Sequence, residues 1–173
     1  RNDWSSTLSH TKHEGRGYFY PSVGTSLILS RLLTLPEWVS YAKVRAAYSM
    51  VGNDIPLYIT NPVARVLAGG GIQASDAAPF KEMEPEMNYS WEIGAEGRFL
   101  NSRIGFNITF YRTNTHNQFF KLPTLAGDKY AYRYVNAGNI QNQGWEIALD
   151  ATPVMVKDFM WSTTLNFASN RNK

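Results

Sequence analysis

Two neighbouring stretches decide the fold: Tyr89-Ser90-Trp91-Glu92-Ile93-Gly94-Ala95-Glu96-Gly97-Arg98-Phe99 and Ile104-Gly105-Phe106-Asn107-Ile108-Thr109-Phe110-Tyr111. In the first, Tyr89, Trp91, Ile93, Ala95 and Phe99 share one parity, and Ser90, Glu92, Gly94, Glu96 and Arg98 share the other. In the second, Ile104, Phe106, Ile108 and Phe110 alternate with Gly105, Asn107, Thr109 and Tyr111. Successive side chains of a strand point to opposite faces, so a period of two predicts two strands, each with an apolar and a polar face. The Asn101-Ser102 pair between them reads as a tight turn, which makes the two an antiparallel hairpin.

The same alternation recurs on both sides. It runs through Phe19, Val23, Leu27 and Leu29, through Val44, Ala46, Tyr48 and Met50, through Trp145, Ile147 and Leu149, and through Phe159, Trp161, Leu165 and Phe167. The pattern predicts strands at 18–30, 41–51, 89–100, 103–112, 134–150 and 159–169, with a scrap of a seventh near Arg1–Leu8. Helix is expected only as a short turn around Leu35-Pro36-Glu37-Trp38-Val39, where Pro suits a first helical position. The expected fold is therefore all-β, an antiparallel up-and-down meander of about six to seven long strands.

The links between these strands alternate in length. Those at 31–40, 101–102 and 151–158 are short, whereas 52–88 and 113–132 are long. In a meander this puts every long loop at one end and every short turn at the other, an asymmetry typical of outer-membrane barrels. Ten residues at ~3.3 Å, tilted by ~45°, cover roughly 23 Å, close to the ~25 Å apolar band of such barrels. Composition agrees. Charged residues make up 18% of the 173 residues and aromatics 14%, and rings gather near strand ends, where a bilayer interface suits an amphipathic ring.

Other classes fall away. No run approaches the ~18 apolar residues of a membrane-spanning helix. The chain has no cysteine, which excludes thiolate metal sites and Cys nucleophiles, and its net charge of +3 gives no footprint for nucleic acid. A soluble β-rich carbohydrate-binding module is the rival, since sandwiches also alternate, but their strands average only ~5–6 residues. Six or seven strands leave two open edges, and an open edge in lipid has unsatisfied backbone groups. The chain is therefore expected to be a section of a larger barrel, with both ends reading as cut from something longer.

Several stretches resemble the SusC/RagA-like TonB-dependent outer-membrane transporters. Leu35-Pro36-Glu37-Trp38-Val39-Ser40-Tyr41-Ala42-Lys43-Val44-Arg45-Ala46-Ala47-Tyr48 is similar to that family's "LP.W.S..K.RA.Y" segment, and Val51-Gly52-Asn53-Asp54 to its "VGND". Glu84-Pro85-Glu86-Met87 with Ser90-Trp91-Glu92-Ile93-Gly94 resembles "PE...SWEIG". Tyr134-Val135-Asn136-Ala137-Gly138-Asn139-Ile140-Gln141-Asn142-Gln143-Gly144-Trp145-Glu146 resembles "NAG.I.N.G.E", and Asp158-Phe159-Met160-Trp161 with Leu165–Asn172 the strand after it. The resemblance implies part of the wall of a 22-stranded barrel, residues 1–173, with no plug domain present and with 52–88 and 113–132 as extracellular loops. It further implies a Gram-negative outer membrane, a SusD-like surface lipoprotein as lid, TonB engaged through parts outside this chain, outer-membrane lipid around it and a glycan or oligopeptide as cargo.

No catalytic constellation emerges, and neither a cofactor nor a metal is expected. Glu92 and Glu96 share a strand face but lie about 13 Å apart, beyond the ~5–9.5 Å of paired glycosidase carboxylates; they read instead as a polar lumen-facing row with Arg98. His10 and His13 lie three apart in a segment whose flanking Ser, Thr and Gly read as loop, and Gly69-Gly70-Gly71 reads as a flexible link. The candidates for contact with ligand or lid are the loop aromatics Tyr58, Phe80, Phe119, Phe120, Tyr130 and Tyr132, whose faces could stack on sugar rings or pack on peptide side chains.

Overall fold

A computed structural model describes residues 1–8, 11–15, 17–56 and 58–173. Twelve strands are present among them: β1 Asn2–Asp3, β2 Tyr18–Phe19, β3 Ser22–Ile28, β4 Val39–Asn53, β5 Arg65–Val66, β6 Ile72–Gln73, β7 Glu86–Phe99, β8 Ile104–His116, β9 Phe119–Pro123, β10 Tyr132–Asn136, β11 Ile140–Val156 and β12 Phe159–Asn172. Helix among the described residues is limited to a 3₁₀ turn at Ser6–Leu8 and α1 at Leu29–Leu32. The long strands form one six-stranded antiparallel sheet, ordered β12-β11-β8-β7-β4-β3, and the short ones pair as β1-β2, β5-β6 and β9-β10. Neighbours along the chain are thus neighbours in the sheet, as a meander requires. The links 54–85 and 117–139 leave one end of it, and 29–38, 100–103 and 157–158 the other.

The chain divides into two compact units, one made of 22–49, 89–114 and 140–173, the other of 1–21, 50–88 and 115–139. The first unit is the sheet. On its polar face, the Arg45 guanidinium donates to Glu92 Oε1 at 3.1 Å, to Thr109 Oγ1 at 2.6 Å and to Asn107 Oδ1 at 3.4 Å, spanning three strands. Lys43 and Arg98 flank Glu96 at 3.7 and 3.8 Å. The row of Glu92, Glu96 and Arg98 is therefore an ion-pair lattice with its neighbours.

On the opposite face the rings form two groups. Trp38 stacks on Phe99 at 5.6 Å between centroids and Phe99 on Phe106 at 5.7 Å. Trp91 meets Phe110 at 5.2 Å, and Phe110 meets Trp145 at 4.7 Å. Trp91 and Phe99 are eight residues apart on β7, about 26 Å of extended chain, which a tilt of ~40° shortens to about 20 Å. Between the two groups lie Ile93, 55% exposed, and Ala95. Trp161, Leu165 and Phe167 on β12 are more than half exposed. None of the buried hydrophobic residues among those described lies in the sheet; Leu8, Ile55, Ile59, Ala77 and Met83 all belong to the other unit. A sandwich would bury the apolar face of its sheet against a second sheet, so this arrangement gives the soluble-module alternative no support.

Four sequence expectations change. Residues 18–30 are not one strand: Tyr18–Phe19 pairs with β1, Ser22–Ile28 pairs with β4, Pro21 between them has no N–H for a ladder, and 29–30 belong to α1. Asn101-Ser102 is not a two-residue turn: the link is 100–103, with Leu100, Asn101 and Ser102 all at positive φ. Leu100 N–H donates to Trp38 O at 2.9 Å and Ser102 N–H to Ser40 Oγ at 3.2 Å, and these bonds offset the cost of three left-handed residues. The helical turn falls at Leu29–Leu32 instead of 35–39, where Val39 N–H closes a turn on Pro36 O at 2.9 Å. Residues 134–150 are not one strand. Gly138, at φ +89°, breaks the run, so that β10 pairs with β9 and β11 with β12. β11 continues to Val156 through a register shift between Ala151 and Val154, where Pro153 has no N–H to give the ladder.

Candidate functional site

The second unit is built from three distant segments and has its own core. Leu8, Ile55, Ile59 and Met83 are buried together, with Tyr18, Phe80, Phe119 and Tyr134 packed against them. Asp54 fixes the first segment to the second: its carboxylate accepts from Ser5 Oγ at 2.7 Å, from Thr7 Oγ1 and from Ile55 N–H at 2.8 Å. Burial alone would raise the Asp54 pKa, but these three donors outweigh it and hold the carboxyl below its ordinary value. Burial pushes the Tyr18 phenol up to about 12, with the Asp54 charge adding to the effect, so it stays a protonated donor.

The third segment is the β9-β10 hairpin, paired from Tyr132↔Pro123 to Asn136↔Phe119. A strip of the second segment lies along it: Ala131 and Tyr132 N–H donate to Asp76 O at 2.9 and 3.2 Å, and Ala78 N–H donates to Tyr132 O at 2.9 Å. Between this strip and residues 58–65 opens a cleft of about 470 Å³ with Tyr58, Tyr132 and Tyr134 in its wall, together with Arg65, Gln73, Ser75 and Asp76. Tyr58 is 61% exposed and is held at φ +67°, a conformation a bulky residue adopts only under constraint. Tyr132 carries the Lys121 ammonium 3.6 Å from its ring centroid and meets Tyr134 edge-on at 5.8 Å. A second cleft, about 360 Å³, is lined by Asn2, Asp3, Trp4, Tyr18, Tyr20, Asn53 and Asp54 among others.

Of the six aromatics singled out from sequence, the structure thus brings two, Tyr58 and Tyr132, into one cleft. Phe80 and Phe119 pack on the core of the unit. Phe120 is 41% exposed on β9, and Tyr130 is half-buried with the Lys129 ammonium 5.4 Å from its ring. Arg65, Gln73, Ser75 and Asp76 escaped the sequence reading because nothing in their spacing marks them. His10 lies outside the described residues. What the cleft offers chemically is phenol rings for stacking, one cation, one carboxylate and neutral donors and acceptors. No nucleophile with an adjacent base is among its lining residues.

An antiparallel meander with a polar lattice on one face and uncovered apolar and aromatic side chains on the other has the form of a section of β-barrel wall. Residues 1–172 match the family described as "TonB dependent receptor-like, beta-barrel", and the chain belongs to that family. Curated relatives include TonB-dependent receptor P26 of Formosa agariphila, 28% identical over all of this chain and 18% of its own length. TonB-dependent receptor SusC of Bacteroides thetaiotaomicron is 29% identical over 71% of this chain and 13% of its own. The chain therefore spans less than a fifth of these relatives, which are receptors and not enzymes. Among solved structures, the RagAB peptide transporter superposes on 94% of this chain and 19% of its own, with a TM-score of 0.79 at 21% identity. The siderophore receptor PirA from Pseudomonas aeruginosa covers 89% with a TM-score of 0.55. At such identity both likenesses concern the fold alone.

Proposed function

We propose that this chain is wall and outer loops of an active transporter in a Gram-negative outer membrane. The observation that carries this reading is the sheet's apolar face: Ile93, Trp161, Leu165 and Phe167 stay exposed while every buried hydrophobic residue described lies elsewhere. Lipid is the cover such a face calls for, and the two ring groups suit the two interfaces of the bilayer. The polar lattice then faces the lumen, and β3 and β12 pair with further wall strands. The strands serve as the membrane-spanning elements, and 52–88 and 113–132 as extracellular loops.

The cargo is a large nutrient, a glycan or an oligopeptide, held in part by the cleft of Tyr58 and Tyr132. Support comes from the relatives: one is a SusC and one structural neighbour is a peptide transporter. In this reading a SusD-like lipoprotein closes over the loops, and TonB supplies energy through parts of the receptor outside this chain. The chain itself performs no covalent chemistry; it walls the path and positions ligand-binding loops. Deleting the receptor gene in its native host tests the transport reading: growth on one glycan or peptide source should be lost and restored by the wild-type gene. Undiminished growth on every such source would overturn it.

A further inference from the structure

Three stretches of the loop unit, those holding Glu84, Asn117 and Asn136 itself, meet at the side chain of Asn136. Its Oδ1 accepts from Glu84 N–H at 2.7 Å, and its Nδ2 donates to Glu84 O at 2.9 Å and to Asn117 O at 2.6 Å. An oxygen facing an N–H and a nitrogen facing two carbonyls fix the orientation of the amide. The side chain thereby completes a two-bond pair with the Glu84 backbone, as a neighbouring strand residue would. The Glu84 carboxylate extends the knot: Oε2 accepts from Asn117 Nδ2 at 3.1 Å and Oε1 from Lys12 Nζ at 2.6 Å. Asn117, at φ +59°, makes the sharp corner between β8 and β9. The Lys12 bond is the first cause holding the Glu84 carboxyl below its ordinary range.

Asn136 is also the last residue of β10, the strand that carries Tyr132 into the cleft. Where the β9-β10 hairpin sits therefore depends on where Asn136 is held, and no other side chain in the hairpin bonds to both Glu84 and Asn117 among the bonds described. We infer that Asn136 is a positioning residue, which fixes the hairpin so that Tyr132 faces Tyr58 before any ligand arrives. This rests on the ligand-holding role given above to the cleft. A preformed cleft spares the ligand the cost of ordering the hairpin, so losing the knot should weaken binding without touching a ligand contact.

The test uses the full-length receptor and two readouts. In hydrogen exchange without ligand, Asn136→Ala and the near-isosteric Asn136→Leu should raise exchange at the Ala131 and Tyr132 amides at least tenfold. Folded receptor yield and exchange within 104–114 should stay as in the wild type. Asn117→Gly keeps the left-handed corner and removes only the bond to Glu84, so its effect should be intermediate. Unchanged exchange at Ala131 and Tyr132 would overturn the inference, as would equal loosening of the sheet. The second readout is affinity for two probe pools, a dextran hydrolysate and a tryptic casein digest. Whichever pool the wild type retains should bind at least tenfold more weakly to Asn136→Ala, and equal affinity would overturn the inference. A wild type that retains neither pool counts against the cleft's ligand role, and the exchange result then decides the positioning of the hairpin by itself.

Discussion

The Arg45 guanidinium lies over Gly94, where a Cβ would stand 2.8 Å from Arg45 Nε. That one missing side chain lets an arginine on β4 cross β7 and reach Thr109 on β8. The same device recurs on this face. The Asp150 carboxylate occupies the place of a Cβ on Gly105, and the Tyr111 hydroxyl that of a Cβ on Gly144. Gly94→Val should therefore displace Arg45 from the lattice and destabilise the folded receptor by about 1–3 kcal/mol, the usual cost of overpacking. Urea unfolding in detergent or vesicles checks this. Arg45→Ala should cost less, about 1 kcal/mol at most, because the Arg45–Glu92 pair is partly exposed.

The two faces of the β7-β8 hairpin should respond oppositely to charge. Ile93→Arg puts a cation on the exposed apolar face between the ring groups, and at mid-bilayer that costs about 2–4 kcal/mol. Ile108→Arg on β8 is expected to behave alike. Asn107→Asp, on the polar face where the side chain already accepts from Arg45, should change folded yield in outer-membrane fractions little. Equal yields for the Ile93 and Asn107 variants would contradict the assignment of faces.

Met83 and Leu8 are 0% and 1% exposed, so the loop unit has a packed core of its own. Met83→Ala should cost that unit about 2–5 kcal/mol by opening a cavity. Limited proteolysis should then cut within 54–85 while the sheet stays resistant.

The loop unit should loosen in acid. Asp54 and Glu84 have folded-state pKa values below their ordinary 3.8 and 4.5. A depressed carboxylate contributes stability above its unfolded pKa, and that contribution is lost as pH falls through the folded value. Protection against hydrogen exchange in 1–8 and 54–56, taken relative to the intrinsic rate at each pH, should thus be flat above about pH 5 and fall below about pH 4. Asp54→Asn should remove much of that acid response in these segments, at the expense of protection at neutral pH.

How much of this was legible beforehand follows from period and distance along the chain. Tyr89–Phe110 announced a hairpin because every second side chain meets the same surroundings, and short links joined three of the five neighbouring pairs of the sheet. The Leu100–Ser102 corner was misjudged because its left-handed residues are held by Trp38 and Ser40, some sixty residues upstream. The split between β10 and β11 at Gly138 was missed because 136–144 holds mostly polar residues with no apolar period, so nothing in the pattern marks where one strand ends and the next begins. In the cleft, Tyr58 and Tyr132 could be named from residue type alone. Arg65 and Asp76 could not, since residues 58–77 and 131–134 meet through backbone bonds that leave no mark in spacing.

The account's central claim is that one face of the sheet meets lipid. Because the chain has no cysteine, single cysteines at 91–96 in an otherwise cysteine-free full-length receptor can carry spin labels in turn. Accessibility to oxygen, which enters lipid, is then compared with accessibility to a water-soluble nickel chelate. The account predicts a period of two, with high oxygen and low nickel accessibility for Trp91→Cys, Ile93→Cys and Ala95→Cys, and the reverse balance for Glu92→Cys and Glu96→Cys. Nickel accessibility equally high at Ile93→Cys and Glu92→Cys would contradict it.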